Sequence, residues 1–335
     1  MKLSRRDFLR LSALGLGSAL VTACGLDKAV LTPDSTAVST RTPLAPTQIR
    51  PFPTTTSPSE ILHGMGFAAF AGKVKTYQDA QYLYVESDGM PSHPMMIGIT
   101  SWQQQVPLPQ FYIGNNAWRI PLNPVIAENP ISAQTNLYRG AIALAVNGVP
   151  IFNALNNRGD DAYLAGELDE WGGHAGRADD YHYHVAPLHL QELVGVGSPI
   201  AYALDGFPIY GSTEPDGSPM AELDQFNGHF DANGSYHYHG TNTYPYINGG
   251  MRGVVTVQNE QIEPQPRTTP IRPYLQPLKG AIITDFQELG DGAYSLEYTR
   301  NGQKAYVNYR VTDNTYIFEF LDAAGNKTTE TYASQ

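Results

Sequence analysis

Two stretches of this chain repeat one histidine spacing. Gly173-His174 is followed after seven residues by His182, and His184 comes two further on; Gly228-His229 leads in the same way to His237 and His239. In a strand, side chains at i and i+2 project to one face. His182 with His184, and His237 with His239, would each form a two-imidazole chelate. The intervening seven residues, AGRADDY and FDANGSY, are long enough to fold His174 or His229 back as a third donor. Two or three imidazoles with an open position suit a transition metal ion, with copper or zinc expected first and iron compatible. The expected ligands are therefore His174, His182, His184, His229, His237 and His239. Asp169 and Asp224, five residues upstream of each trio, are candidates to orient an imidazole or to ligate directly. His93 and Asp205, which belong to Gly-containing turns, are further candidates. Glycine before His174 and His229 permits close backbone approach or a positive φ.

The elements that must position these residues are also repeated. Both copies read L-D-x-[WF]-x-G-H-x7-H-x-H with a constant offset, His174 matching His229 and His184 matching His239. Upstream, Ile142–Phe152 matches Ile200–Tyr210. The repeat unit is a strand, an [ND]-G-x-P turn, a second short strand, a variable loop and the histidine segment. A weaker third echo occurs at Asp88-Gly89-Met90-Pro91, followed by His93. In each YHYH stretch the tyrosines fall on the face opposite the histidines and are expected in the core. A competing reading makes the whole His/Tyr ladder a packing feature. Asn147 and Asp205 also read as plain turn formers, Met90, Met95 and Met96 as core fillers, and His189 as a surface or capping histidine.

These paired motifs resemble the YHYH family of secreted bacterial proteins. The resemblance runs from about Tyr82 to Gly253 and is carried by Gly173-His174, Tyr181 to His184, Asp205 to Tyr210, Gly228-His229 and Tyr236 to His239. The segment Gly89-Met90-Pro91-Ser92-His93 is similar to the family's earlier motif. Many relatives have a cysteine before the G-H pair, where this chain has Trp171 and Phe226 nearby. The resemblance implies the domain and brings no activity with it.

The start of the chain reads as an address. Ser4-Arg5-Arg6-Asp7-Phe8-Leu9-Arg10 resembles a twin-arginine export signal, and Val21-Thr22-Ala23-Cys24 resembles a lipobox, which makes Cys24 the expected lipidation site. The expected location is the cell envelope, periplasmic or outer surface, with a lipid anchor in the membrane. Cys24 is the only cysteine of 335 residues, so stability must come without disulfides. A net charge of −11 repels phosphate backbones and argues against nucleic-acid partners. No glycine-rich phosphate loop or G-x-S-x-G elbow is present.

Charged residues are only 16%, while Gly, Pro and Tyr abound, which favours short strands and turns over long helices. The expected fold is mainly β: a β-rich domain with an internal duplication, then a small C-terminal β-meander. The expected divisions are the signal at 1–24, a Ser/Thr/Pro spacer at 25–60, the YHYH domain at 61–260, a Pro-rich linker at 261–278 and the meander at 279–335. Short helical stretches are expected near Leu188–Val194 and Pro219–Leu223. The function expected is an exported, lipid-anchored protein that handles copper or zinc. The alternatives are a metal-dependent hydrolase or oxidoreductase at the same histidines, with Asp169 or Asp224 as base, and a structural or adhesive cell-surface module.

Overall fold

Short aromatic and β-branched runs, broken by glycine turns, pair locally into sheets. The computed structural model describes residues 65–313 and 315–333, so the leader at 1–24, Cys24 and the spacer at 25–60 lie outside the described residues. The chain opens with β1 (Lys75–Gln78), β2 (Tyr82–Glu86) and β3 (Trp118–Pro121), a three-stranded antiparallel sheet, and continues with β4 (Ile126–Ser132). The first repeat supplies β5 (Ala141–Ala145), β6 (Pro150–Phe152), β7 (Gly173–Ala175) and β8 (Tyr181–Tyr183). The second supplies β9 (Ala201–Ala203), β10 (Pro208–Tyr210), β11 (Gly228–Phe230) and β12 (Tyr236–His239).

These eight strands form one sheet in the order β11-β12-β10-β9-β5-β6-β8-β7. Read inward from either edge, each strand meets its counterpart from the other copy. At the centre β5 and β9 run antiparallel, with Ala143 opposite Ala203, Leu144 opposite Tyr202 and Ala145 opposite Ala201. Leu144 and Tyr202 are themselves repeat equivalents, so the two copies pair about a local twofold. Both central strands are buried along their whole length, and their alanines leave room for covering layers on both faces.

Each repeat turns between its first two strands in the same way. Gly148 donates its N–H to the Ala145 carbonyl at 2.9 Å, and Gly206 donates to the Ala203 carbonyl at 2.9 Å. Gly148 and Gly206 have φ of 83° and 97°, a conformation that strains any residue with a Cβ. Strands β6 and β10 then lie parallel to β8 and β12, with Ile151 beside Tyr183 and Ile209 beside Tyr238. The outer hairpins β7–β8 and β11–β12 carry the histidines.

β13 (Gly250–Gly253) pairs with β4, and β14 (Thr256–Gln258) with β15 (Gln261–Glu263). The meander is β16 (Ala281–Gly290), β17 (Ala293–Arg300), β18 (Gln303–Thr312), β19 (Thr315–Leu321) and β20 (Lys327–Ala333), all antiparallel neighbours in sequence order. Its inner face is an aromatic ladder. Tyr294, Tyr309 and Phe318 stack at successive centroid separations of 5.0 and 5.6 Å. That face joins the main core: the Tyr309 hydroxyl donates to the Pro107 carbonyl at 2.5 Å, and Gly98 donates to the Ile283 carbonyl at 2.9 Å.

The Pro-rich segment is pinned as a strap. Arg272, 4% exposed, places its guanidinium 4.6 Å from the Phe318 ring and forms a two-pronged ion pair with Asp179, 2% exposed, in the turn between β7 and β8. Asp179 also accepts from the Val106 amide at 3.0 Å. The turn of the first histidine hairpin, the strap and the meander thus meet at one buried pair.

One of the two expected helical stretches is present, at Leu190–Val194. The other, Pro219–Leu223, is not helical. Pro219 bridges to Thr213, and the Ala221 amide is drawn to the Glu214 carboxylate at 2.8 Å, which holds the segment in an open loop. Met90, Met95 and Met96 are all buried in the core. Among the described residues no helix is long and apolar enough to cross a membrane.

Removing one partner of a buried ion pair leaves the other charge uncompensated. Asp179→Ala is expected to destabilise the fold by about 3–5 kcal/mol in urea unfolding. Asp179→Ala combined with Arg272→Met should recover most of that loss, because no charge is then left buried.

Candidate metal centres

In both outer hairpins the first and second histidines lie directly opposite each other, His174 against His182 and His229 against His237. The strand alternation puts the third on the same face. In the first trio Nε2 of His174 lies 3.1 Å from Nε2 of His184, and Nε2 of His182 lies 3.2 Å from it. In the second trio the three Nε2 separations are 2.9, 3.1 and 3.2 Å. Three nitrogens bound at about 2.0–2.1 Å to one ion stand roughly 2.8–3.4 Å apart, from octahedral to tetrahedral angles. The trios lie at opposite edges of the sheet, so they are two separate sites.

The protons make the arrangement more informative. A carbonyl oxygen only accepts, so a ring nitrogen bonded to one must carry the hydrogen. His182 Nδ1 donates to the Asp180 carbonyl at 2.9 Å and His184 Nδ1 to the Asn153 carbonyl at 2.6 Å. His239 Nδ1 donates to the Gly211 carbonyl at 2.8 Å. Asn153 and Gly211 are repeat equivalents, each just beyond the end of β6 or β10. With Nδ1 protonated, a neutral ring presents a bare lone pair at Nε2. In the first site the lone pairs of His182 and His184 therefore face each other with no hydrogen between them. That contact is repulsive unless a cation sits at their focus.

Burial favours the neutral form of four of these rings. It holds His184 down to about 3, with His182 beside it adding to the effect. It also holds His237 down to about 4, helped by His239 and His229, and lowers His174 and His239. These four rings therefore resist protonation, as metal ligation by imidazole requires.

The opposite face of each hairpin is a tyrosine layer that fixes the turn. The Asp169 carboxylate accepts from the Tyr181 hydroxyl at 2.8 Å and from the amides of Met96, Trp171 and Gly173. Asp224 accepts from the Tyr236 hydroxyl and from the amides of Phe226 and Gly228. Both carboxylates therefore brace the hairpins; neither holds an imidazole, contrary to the sequence expectation, because turn amides and a phenol already occupy their oxygens. The glycines before His174 and His229 serve close approach: a Cβ on Gly173 would stand 2.5 Å from the Tyr181 hydroxyl oxygen, and one on Gly228 2.3 Å from that of Tyr236.

His93 and Asp205 are likewise on the tyrosine side. His93 Nδ1 donates to the Pro94 carbonyl at 2.7 Å, so its Nε2 accepts from the Tyr183 hydroxyl at 2.7 Å, and the ring stacks on Trp171. Asp205 accepts from the Tyr238 hydroxyl at 2.6 Å and from the Gly253 amide at 2.8 Å. Asn147, its repeat equivalent, donates instead to the Tyr183 hydroxyl at 3.0 Å. None of these residues reaches a trio. His189 makes no side-chain cap and packs edge-on against Trp171 and His93.

The two sites differ in one residue that the motif comparison missed. Glu214 brings Oε2 to 3.2 Å from His237 Nε2 and Oε1 to 3.3 Å from His229 Nε2, completing a four-donor set. Glu214 sits in a turn that the first copy repeats at Asn156: Gly217 donates to the Glu214 carbonyl at 2.9 Å as Gly159 does to that of Asn156. The signal was available had the alignment been carried through N-A-L-N-N-R-G-D and G-S-T-E-P-D-G-S. The Asn156 amide instead donates to Glu167, at 3.3 Å to each carboxylate oxygen. The first trio keeps three donors and faces a cleft of about 810 Å³.

A duplicated β-sheet with a histidine trio at each edge defines a two-site β-rich domain. The family model described as YHYH protein matches residues 117–219, and over that segment the chain carries a YHYH domain. The match takes in β3 to β10, the first trio and Glu214, and ends before the second trio. Comparison of the chain with curated proteins gives no match, nor does comparison with solved structures.

Six histidines, His93, His174, His184, His189, His237 and His239, titrate lower in the folded protein than in the unfolded chain, with burial the largest cause for each. Below about pH 6.5 the unfolded chain gains protons that the folded protein refuses, so stability falls as pH falls, by up to ~1.4 kcal/mol per pH unit for each group. Asp169, raised to about 6 by burial, acts in the opposite sense between about pH 4 and 6; Asp179 and Asp205, also raised by burial, share that sense. The histidines outnumber these carboxyls. The urea midpoint of chelator-treated protein is expected to drop between pH 6.5 and 5.

Proposed function

We propose that the protein is an exported, lipid-anchored transition-metal protein that binds one ion at each histidine trio. The observation that carries this reading is the convergence of Nε2 lone pairs while the Nδ1 protons of His182, His184 and His239 are committed to backbone carbonyls. The all-nitrogen and nitrogen-oxygen donor sets suit borderline divalent ions such as Zn²⁺, Cu²⁺ or Fe²⁺. Thioethers do not contribute: Met96 Sδ accepts from the Ala175 amide at 3.1 Å. The second site, with Glu214, supplies four ligands and suits a closed, structural ion. The first site supplies three and leaves a position facing the cleft, the form taken by metal sites that activate water or polarise a substrate. That cleft favours a metal-dependent enzyme at the first trio over a carrier.

Full-length protein offered zinc, copper and iron should retain two equivalents of metal by mass spectrometry. His182→Ala with His184→Ala should retain one, and so should His237→Ala with His239→Ala. A folded wild-type protein without metal would sink the proposal. The anchor is tested separately: Cys24→Ser should move the protein from the membrane fraction to the soluble fraction of the envelope.

A further inference from the structure

The cleft over the first trio gathers arginines on a chain whose net charge is −11. Its lining includes Arg139, Arg158, Arg177 and Arg267, against two carboxylates, Glu167 and Asp180. Arg158 is paired with Glu167 and Asp160, and Arg267 with Glu263. The other two have no carboxylate partner among the described residues. Arg177 is steered by a bond from Nη1 to the Arg272 carbonyl at 3.1 Å and lies 5.9 Å from the Tyr274 ring centroid. Arg139 uses only its backbone amide, which donates to the Glu260 carbonyl at 3.3 Å.

The repeat supplies an internal control. Where the first copy has Arg139, Arg158 and Arg177, the second has Gly197, Asp216 and Ala232. Where the second copy closes its trio with Glu214, the first has Asn156. The copy that keeps an open coordination position also carries these arginines, together with Asp160 and Asp180 where the second copy has Ser218 and Ser235. Arg139 and Arg177, free of carboxylate partners and without counterparts in the closed site, mark a difference in ligand, because the second hairpin folds without such residues.

We propose that the open site takes a small oxyanion, carboxylate or phosphoryl, with one oxygen completing the coordination at His174, His182 and His184 and the remainder of the charge held by Arg139 and Arg177. This rests on the metal reading of the first trio. Guanidinium groups suit such ligands because their planar donors match two oxygens at once.

The test uses the full chain in detergent, loaded with Co²⁺, whose visible spectrum reports a change of ligand. Titration with succinate, and separately with inorganic phosphate, should change the spectrum of one cobalt per chain and leave the Glu214-closed site unaltered. The stronger of the two probes assigns a carboxylate or a phosphoryl ligand. Arg139→Gln with Arg177→Gln should weaken binding about tenfold or more, while Arg300→Gln, outside the cleft, should not. A bound cobalt that responds to neither probe, or equal affinity in the double variant, overturns the proposal. If the first trio holds no cobalt, the metal reading fails on its own. Calorimetry of the cobalt-free chain then decides the arginine part: heat with either anion that disappears in the double variant sustains an anion site at Arg139 and Arg177 without the coordinated oxygen, and no heat overturns it.

Discussion

The hydrogen bonds from imidazole Nδ1 to backbone carbonyls are the constraint on which the site depends. A carbonyl cannot donate, so each such bond places the ring proton and leaves Nε2 bare. His184 and His239 reach the carbonyls of Asn153 and Gly211, which directly follow β6 and β10. Those strands lie parallel to β8 and β12. The parallel pairing inside an otherwise antiparallel sheet therefore sets each third ring against the end of a neighbouring strand. Behind the rings, Asp169 and Asp224 gather the turn amides and a tyrosine hydroxyl. The imidazoles are thus positioned from both sides, by strand ends on one and a carboxylate-braced hairpin on the other.

One scaffold used twice yields two different environments. The backbone of the turns at Asn156 and Glu214 is the same, as the equivalent glycine bonds show. The side chain alone decides whether a carboxylate enters the coordination space. In the second copy it does, and the four donors face one another. In the first, the acid that lies nearby, Glu167, is bonded to Asn156 and Arg158 and keeps out of the trio.

Much of this was legible from residue spacing. Period-two alternation located His182 with His184 and Tyr181 with Tyr183 on opposite faces, and the seven-residue turn brought His174 alongside. The meander was readable from clean alternation in β17 to β20. Spacing could not show that the trios stand apart, because that follows from sheet order. It also misplaced Asp169, Asp224, His93 and Asp205. A carboxylate near a histidine in sequence binds whichever donors the turn presents first, and here these are amides and phenols. Glu214 was missed because it lies outside the histidine segment, in a loop whose resemblance to its partner is carried by one glycine and by backbone bonds. The strap at 261–278 reads as a linker by composition, yet Arg272 clamps it, since a single buried charge outweighs a local preference for extended chain.

The central pairing of β5 with β9 has a further consequence. Leu144 faces Tyr202, its own equivalent, and the flanking alanines exchange places across the pair. A strand that matches a copy of itself in antiparallel register is a self-complementary edge. One repeat alone would leave that edge open, and two identical repeats would close it by forming a homodimer. Joining both halves in a single chain removes the concentration dependence of that association. It also frees the halves from identity, which a symmetric assembly of one gene product can never escape. Fusion is thus the step that allows one half to keep a carboxylate and the other to give it up.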